Sequence, residues 1–276
     1  MSLLDKLENP VLRRELKIRI RIGKLIPAMS LRCMCLGFIF LLVLLSRLGR
    51  GLLAFTLAET LLVMLFIPGA VCNAFASDAG KGDLRILSST PLSSGKIVLG
   101  KLAGANLYTC LIIAFSAVAM FAAAIIRSDL HIWRLICANI VILILAFASA
   151  VIGLASSLLF RRNVFASSAF SYALILVLIV SIIISGPFIK GIRNSQAKST
   201  IIKLALYANP LVMASRALGR IDIMRTRYMY ELAEPIVGRG FSYPNWYSAG
   251  IIYFVTSCLV LIPIFTLQPK KLFLSD

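Results

Sequence analysis

Gly95, Gly100 and Lys101 reproduce the G-x-x-x-x-G-K spacing of a phosphate-cradling loop. In such a loop backbone N–H groups hold the phosphates, and the residue after the lysine, Ser or Thr, holds magnesium. Here that residue is Leu102. The motif also needs a strand before it and an α/β domain around it, and the segment 76–104 between two apolar runs is too short to build one. Nucleotide binding is therefore not expected in this chain, nor is an ATPase engine of its own. His131 is the one histidine, beside Asp129. The six cysteines, Cys33, Cys35, Cys72, Cys110, Cys137 and Cys258, sit in or beside apolar runs without zinc-ligand spacing, and read as small buried hydrophobes. No serine pairs with a plausible base in its own segment. The chain is not read as an enzyme, and neither a cofactor nor a metal is expected on it.

One acidic residue stands apart. Glu59 lies well inside an apolar run, where a charge is costly and usually functional. It is the candidate intramembrane polar site. The alternatives are a neutral glutamic acid hydrogen-bonded between helices, or a group near an interface beside Thr60.

The elements that carry these residues follow from composition. Of the 276 residues 60% are hydrophobic and 14% charged, against about 45–50% and about 25% in soluble domains. So much apolar surface needs lipid as its solvent. A bilayer core of about 30 Å takes about 20 apolar residues in a helix. Six segments qualify, at about 28–46, 52–75, 105–126, 132–160, 165–189 and 249–267. The fold class is an all-α integral membrane protein of six spans in one transmembrane domain, 1–276. The charged stretch before the first run is too long for a signal-peptide n-region, and no small-residue cleavage site follows it. The first span is expected to stay as an anchor.

The net charge of +18 comes from 29 Lys+Arg against 11 Asp+Glu. Nucleic-acid binding would need a basic polar domain, and none is present. Most basic residues flank apolar runs, which points to anionic lipid headgroups. Lys96, Lys101, Arg161, Arg162, Lys270 and Lys271 fall on one side of the predicted bundle, while the short turns on the other hold only Arg47, Arg50, Arg127 and Arg134. The expectation is a multi-pass protein of the cell membrane with both termini cytoplasmic.

Three connecting segments add detail. On a helical wheel over 11–25, Arg13, Arg14, Lys17, Arg21 and Lys24 share one arc, and apolar residues cover most of the rest. That pattern predicts an interfacial amphipathic helix, its apolar face in acyl chains; the alternative is a simple positively charged stop flank. The cytoplasmic segment 76–104 holds a short apolar stripe, Leu84-Arg85-Ile86-Leu87, stopped at Thr90-Pro91. It suits a short helix docking another protein, or a mere connector. The extracytoplasmic segment 190–247 has two moderately apolar pieces, 201–208 and 211–218, joined by Asn209-Pro210. Two short helices entering the outer leaflet and returning fit, and so does a surface loop. Small residues recur four apart, at Gly100 and Gly104 and at Ser149, Gly153 and Ser157, a spacing that serves close packing within a subunit or between subunits.

The chain resembles the membrane subunit of type-2 ABC exporters. The resemblance rests on the opening Asn9-Pro10-Val11-Leu12-Arg13-Arg14-Glu15-Leu16, on Asp78, Gly82, Leu84, Leu87, Thr90, Pro91, Leu92, Ser93, Gly100 and Lys101 after span two, and on Asn209-Pro210 before the final span. Gly80 and Asp83 depart from the usual pattern, which has an acidic residue and a threonine there. The resemblance implies a permease that pairs with a second copy or a related permease and receives a separate ATPase, with ATP and magnesium on that partner. It implies ATPase coupling through Asp78, Gly82, Asp83, Leu84, Leu87, Pro91, Gly100 and Lys101. A secondary transporter or channel, and a scaffold that moves nothing, are the alternative readings.

Overall fold

The computed structural model describes residues 10–19, 37, 51–72, 94–127, 132–160, 163–192, 194–219 and 245–266. Among them there is no strand. The helices are α1 (Pro10–Arg19), α2 (Gly51–Val71), α3 (Ser94–Arg127), α4 (Ile132–Leu159), α5 (Val164–Gly191), α6 (Ser195–Ala208), α7 (Pro210–Ala217) and α8 (Trp246–Thr266). Five of these, α2, α3, α4, α5 and α8, are long and apolar enough to cross a membrane. That is the pattern of a multi-pass membrane protein. The expected first span, 28–46, lies outside the described residues apart from the helical Gly37.

Two layers of contact fix how the long helices run. Gly95 of α3 faces Phe265 near the end of α8, and Cys72 after α2 meets Ser168 near the start of α5. These pairs define one end of the bundle. Gly219, just after α7, lies against the Arg134 guanidinium at the start of α4 and so marks the other end. Hence α2, α4 and α8 run in one direction and α3 and α5 return. Helix α4 sits at the centre, packed on α2, α3, α5, α7 and α8. Its buried face includes Leu135, Val141, Ile142, Leu145 and Leu154. By contrast α5 leaves Leu174, Leu176, Val177, Ile183 and Ile184 exposed, as a lipid-facing or partner-facing helix must.

Helix α3 differs from the expected span. It begins at Ser94, not near 105, and is continuous for 34 residues. At 1.5 Å per residue it is about 51 Å long, well beyond a hydrocarbon core of about 30 Å. Residues 94–104, expected in a cytoplasmic connector, are its first three turns.

Those turns carry α1. Gly100 has Val11 and the backbone of Leu12 against it, and Gly104 has Glu15. A Cβ at either position would meet α1 at about 2.9 Å, closer than two carbons pack. Val11 and Leu16 are buried. An apolar edge of α1 thus rests on protein, where the helical wheel placed the apolar face in acyl chains; Arg13 and Arg14 are exposed. Lys17 is helical, while Arg21 and Lys24 lie outside the described residues.

The other small-residue row also faces inward. Gly153 of α4 lies against Pro68 and Val71 of α2, and Ser149 and Ser157 are fully buried. Both rows therefore serve packing within the chain.

Candidate functional site

The described part of the segment after α5 forms two short helices, not a surface loop. Asn194 caps α6, its side chain accepting from the Gln196 N–H. Asn209 ends α6 and caps α7, with Pro210 at the first helical position, where a missing N–H costs nothing. The pair turns inside the bundle. Asn209 Nδ2 donates to the Ile179 carbonyl at 2.7 Å. Ile179 is about 18 Å along α5 from its Gly191 end, at 1.5 Å per residue. Helix α7 then returns, and Gly219 reaches Arg134 at the start of α4. Gly219 has φ +69°, the left-handed conformation that a glycine adopts without strain after a helix end.

Non-helical backbone at such depth is stable only when its polar groups are satisfied within the protein. Here side chains of several helices supply partners for the turn. Asn209 is 3% exposed. Its Oδ1 accepts from the N–H groups of Leu211 (3.0 Å) and Val212 (3.2 Å). The Ala205 carbonyl accepts from the Ser181 hydroxyl at 3.2 Å, and the Ala208 carbonyl from the Tyr253 hydroxyl. Met213 N–H returns to the Asn209 carbonyl at 3.3 Å. Thus α5, α6, α7 and α8 are joined at one buried polar turn. The Asn-Pro pair was legible as a break; Ser181 and Tyr253 were not, because nothing in their own segments marks them.

The second polar locus is Glu59. It is fully buried in α2, and the Ser116 hydroxyl of α3 donates to its Oε1. Thr56, one turn before it, and Thr60, the next residue, are also buried, with their hydroxyls returned to the carbonyls of Leu52 and Thr56. Glu59 thus joins two candidate spans. Asn139 of α4 donates to the Leu135 carbonyl at 2.9 Å and reaches Met120 Sδ of α3 at 3.9 Å.

A third locus closes the opposite end. Ser167 donates to the Cys72 carbonyl at 2.8 Å, and Cys72 Sγ and Ser168 Oγ lie 3.3 Å apart. The Tyr172 hydroxyl occupies the space a side chain on Gly69 would need. These contacts fix the last turn of α2 after Pro68 onto α5. That turn leads into the segment expected to dock a partner, whose residues Asp78, Gly82, Asp83, Leu84, Leu87 and Pro91 lie outside the described residues. Gly100 and Lys101 are described, and they face α1.

No protein-family model and no curated protein matches this chain. Its functional reading therefore rests on its own residues.

Proposed function

We propose that this chain is the permease subunit of an ATP-binding cassette exporter, which forms the membrane pathway while a separate ATPase chain supplies the energy. The reading takes 28–46 as a sixth span and 83–89 as a cytoplasmic coupling helix. The observation that carries it is the asymmetry of the bundle's two ends. At one end α1, with exposed Arg13 and Arg14, docks on an overlong α3 that emerges directly from the coupling segment. At the other, two short helices enter and return around Asn209. Basic residues favour the cytoplasmic side of a span and aromatic residues the interface. Exposed Trp133 at the start of α4, and Tyr247 at the start of α8, suit the outer interface. In this orientation both termini are cytoplasmic, and the turn at Asn209 faces the extracytoplasmic half. A second permease, identical or related, completes the pathway.

The deciding experiment is co-purification from native membranes with an ABC ATPase, followed by ATP-dependent export in vesicles. Replacing Leu84 and Leu87 with Asp is expected to release the ATPase while the permease stays inserted, because two charges cannot enter an apolar groove without a large desolvation cost. ATPase retained by the double variant in a pull-down rejects the dock.

Glu59 favours a second reading, a secondary transporter driven by an ion gradient. A buried carboxyl bridging two candidate spans is the residue type that carries protons or cations through membranes. Under either transport reading E59Q is expected to lower substrate movement at least severalfold with little loss of folded protein, since Gln preserves shape and hydrogen bonding but not ionisation. Vesicle flux separates the two: dependence on ATP supports the exporter, and dependence on a pH or cation gradient supports the alternative. Unchanged flux in E59Q removes Glu59 from the pathway.

A further inference from the structure

Lys101 is the most deeply buried basic side chain among the described residues, at 2% exposure, and its Nζ lies 3.1 Å from Glu15 Oε1. Glu15 belongs to α1 and Lys101 to the second turn of α3. The pair sits in the seam opened by Gly100 and Gly104, which let the α1 backbone approach. Glycine destabilises a helix interior relative to alanine, so two of them one turn apart need a packing reason, and α1 is that reason. The surrounding seam is apolar: Val11 packs with Ile97, Val98, Leu102 and Ala105.

Apolar packing alone would hold α1 loosely in register. A smooth groove accepts a helix shifted by one turn with little change in buried area. An ion pair in that groove does not, because any shift leaves two charges apart in a poorly hydrated place. Buried ion pairs add little net stability over apolar residues, and their best-attested use is to fix register or act as a switch. We propose that Glu15 and Lys101 form an internal latch, which holds α1 as a strap in one register on the projecting end of α3. The strap moves with α3 as one body while the pair is closed. It separates only when both charges are rehydrated together, which makes it a two-state element. Lys101 then serves α1, not a partner chain. The inference does not depend on the transport reading, because both partners lie in this chain and its test measures no transport.

Amine acetylation of the full chain in native membranes, read residue by residue by mass spectrometry, tests it. Lys96 lies on the same helix and is exposed, so it is the internal standard. In the wild type Lys101 is expected to react at least about tenfold more slowly than Lys96. E15Q is expected to bring the two rates to within about threefold, and G104A to do the same by pushing Glu15 away. In the E15K/K101E exchange the lysine introduced at position 15 is expected to be protected in its turn. That last result also shows that the fold survives, since an unfolded strap protects nothing. Lys101 reacting as fast as Lys96 in the wild type overturns the latch. So does protection of Lys101 that persists in both E15Q and G104A, or an exchange variant that gains no protection.

Discussion

Replacing Asn209 with leucine is expected to lower the stability of the detergent-solubilised protein by about 3 kcal/mol, seen as a fall in its thermal unfolding midpoint. Four hydrogen bonds pass through this one side chain. They do not weigh equally. A hydrogen bond between membrane helices is worth only about 0.6 kcal/mol on average, because the separated helices find other partners in the bilayer. The bonds to Ile179 and Ser181 belong to that class. The N–H groups of Leu211 and Val212 do not: they sit at the first turn of α7, where no carbonyl of their own helix can reach them. Leaving such groups buried and unpaired costs about 1–3 kcal/mol each, and loss of an N-cap costs about 1 kcal/mol in other helices. The orphaned donors therefore dominate. This ranking makes a finer prediction. N209S keeps a capping oxygen and should lose about 1 kcal/mol, mainly through the bond to Ile179. N209D keeps the cap but turns an oxygen toward the Ile179 carbonyl, so it should fall between serine and leucine. Equal midpoints for N209L and the wild type would mean that the cap does not hold the turn.

How much of this was legible beforehand depends on the range of each interaction. Apolar runs of span length read directly, because one residue in lipid needs nothing from any other. So α2, α4, α5 and α8 lie within a few residues of their expected places. The Asn209-Pro210 break also read directly, since Pro cannot continue a helix and Asn caps one. The run before α3 did not. A lysine at 101 marks the end of a span by hydropathy, whereas in the fold the helix carries it inside protein, paired with the Glu15 carboxylate far away in sequence. Glu59 was conspicuous by its charge, but its partner Ser116 was one serine among many. The spacing of Ser149, Gly153 and Ser157 showed that something comes close to α4. It could not show that the visitor is α2 at its proline.

That crossing is where a small change in volume should have the clearest effect. Pro68 lacks an N–H, so the bond it would make to the Met64 carbonyl is missing and the last turn of α2 is less constrained than the rest. Packing has to hold it. A Cβ on Gly153 would stand 3.2 Å from both Cα and the carbonyl oxygen of Pro68, and 3.3 Å from Val71 Cβ. Two of these three atoms are backbone and cannot rotate away. For G153A two terms oppose each other. Alanine gains about 0.5–1 kcal/mol in helix propensity, and overpacking costs about 1–3 kcal/mol. The rigid neighbours decide for the second, so a net loss of about 1 kcal/mol is expected. G153L adds three more carbons to the same contact and should separate α2 from α4 altogether. The cost then spreads to the end of the bundle, because Cys72 would be drawn off Ser167 and Ser168. A cross-link reports this directly. In S168C the introduced thiol faces Cys72, whose Sγ lies 3.3 Å from the native Ser168 oxygen. Oxidation should join α2 to α5 readily in S168C and at least about tenfold less in S168C/G153L, the factor that about 1.4 kcal/mol of separation implies. Equal cross-linking in the two would show that α2 reaches α5 without the close approach at Gly153. Loss of cross-linking with the chain still inserted would make Gly153 the contact that sets the last turn of α2, and with it the point from which the following segment leaves the bundle.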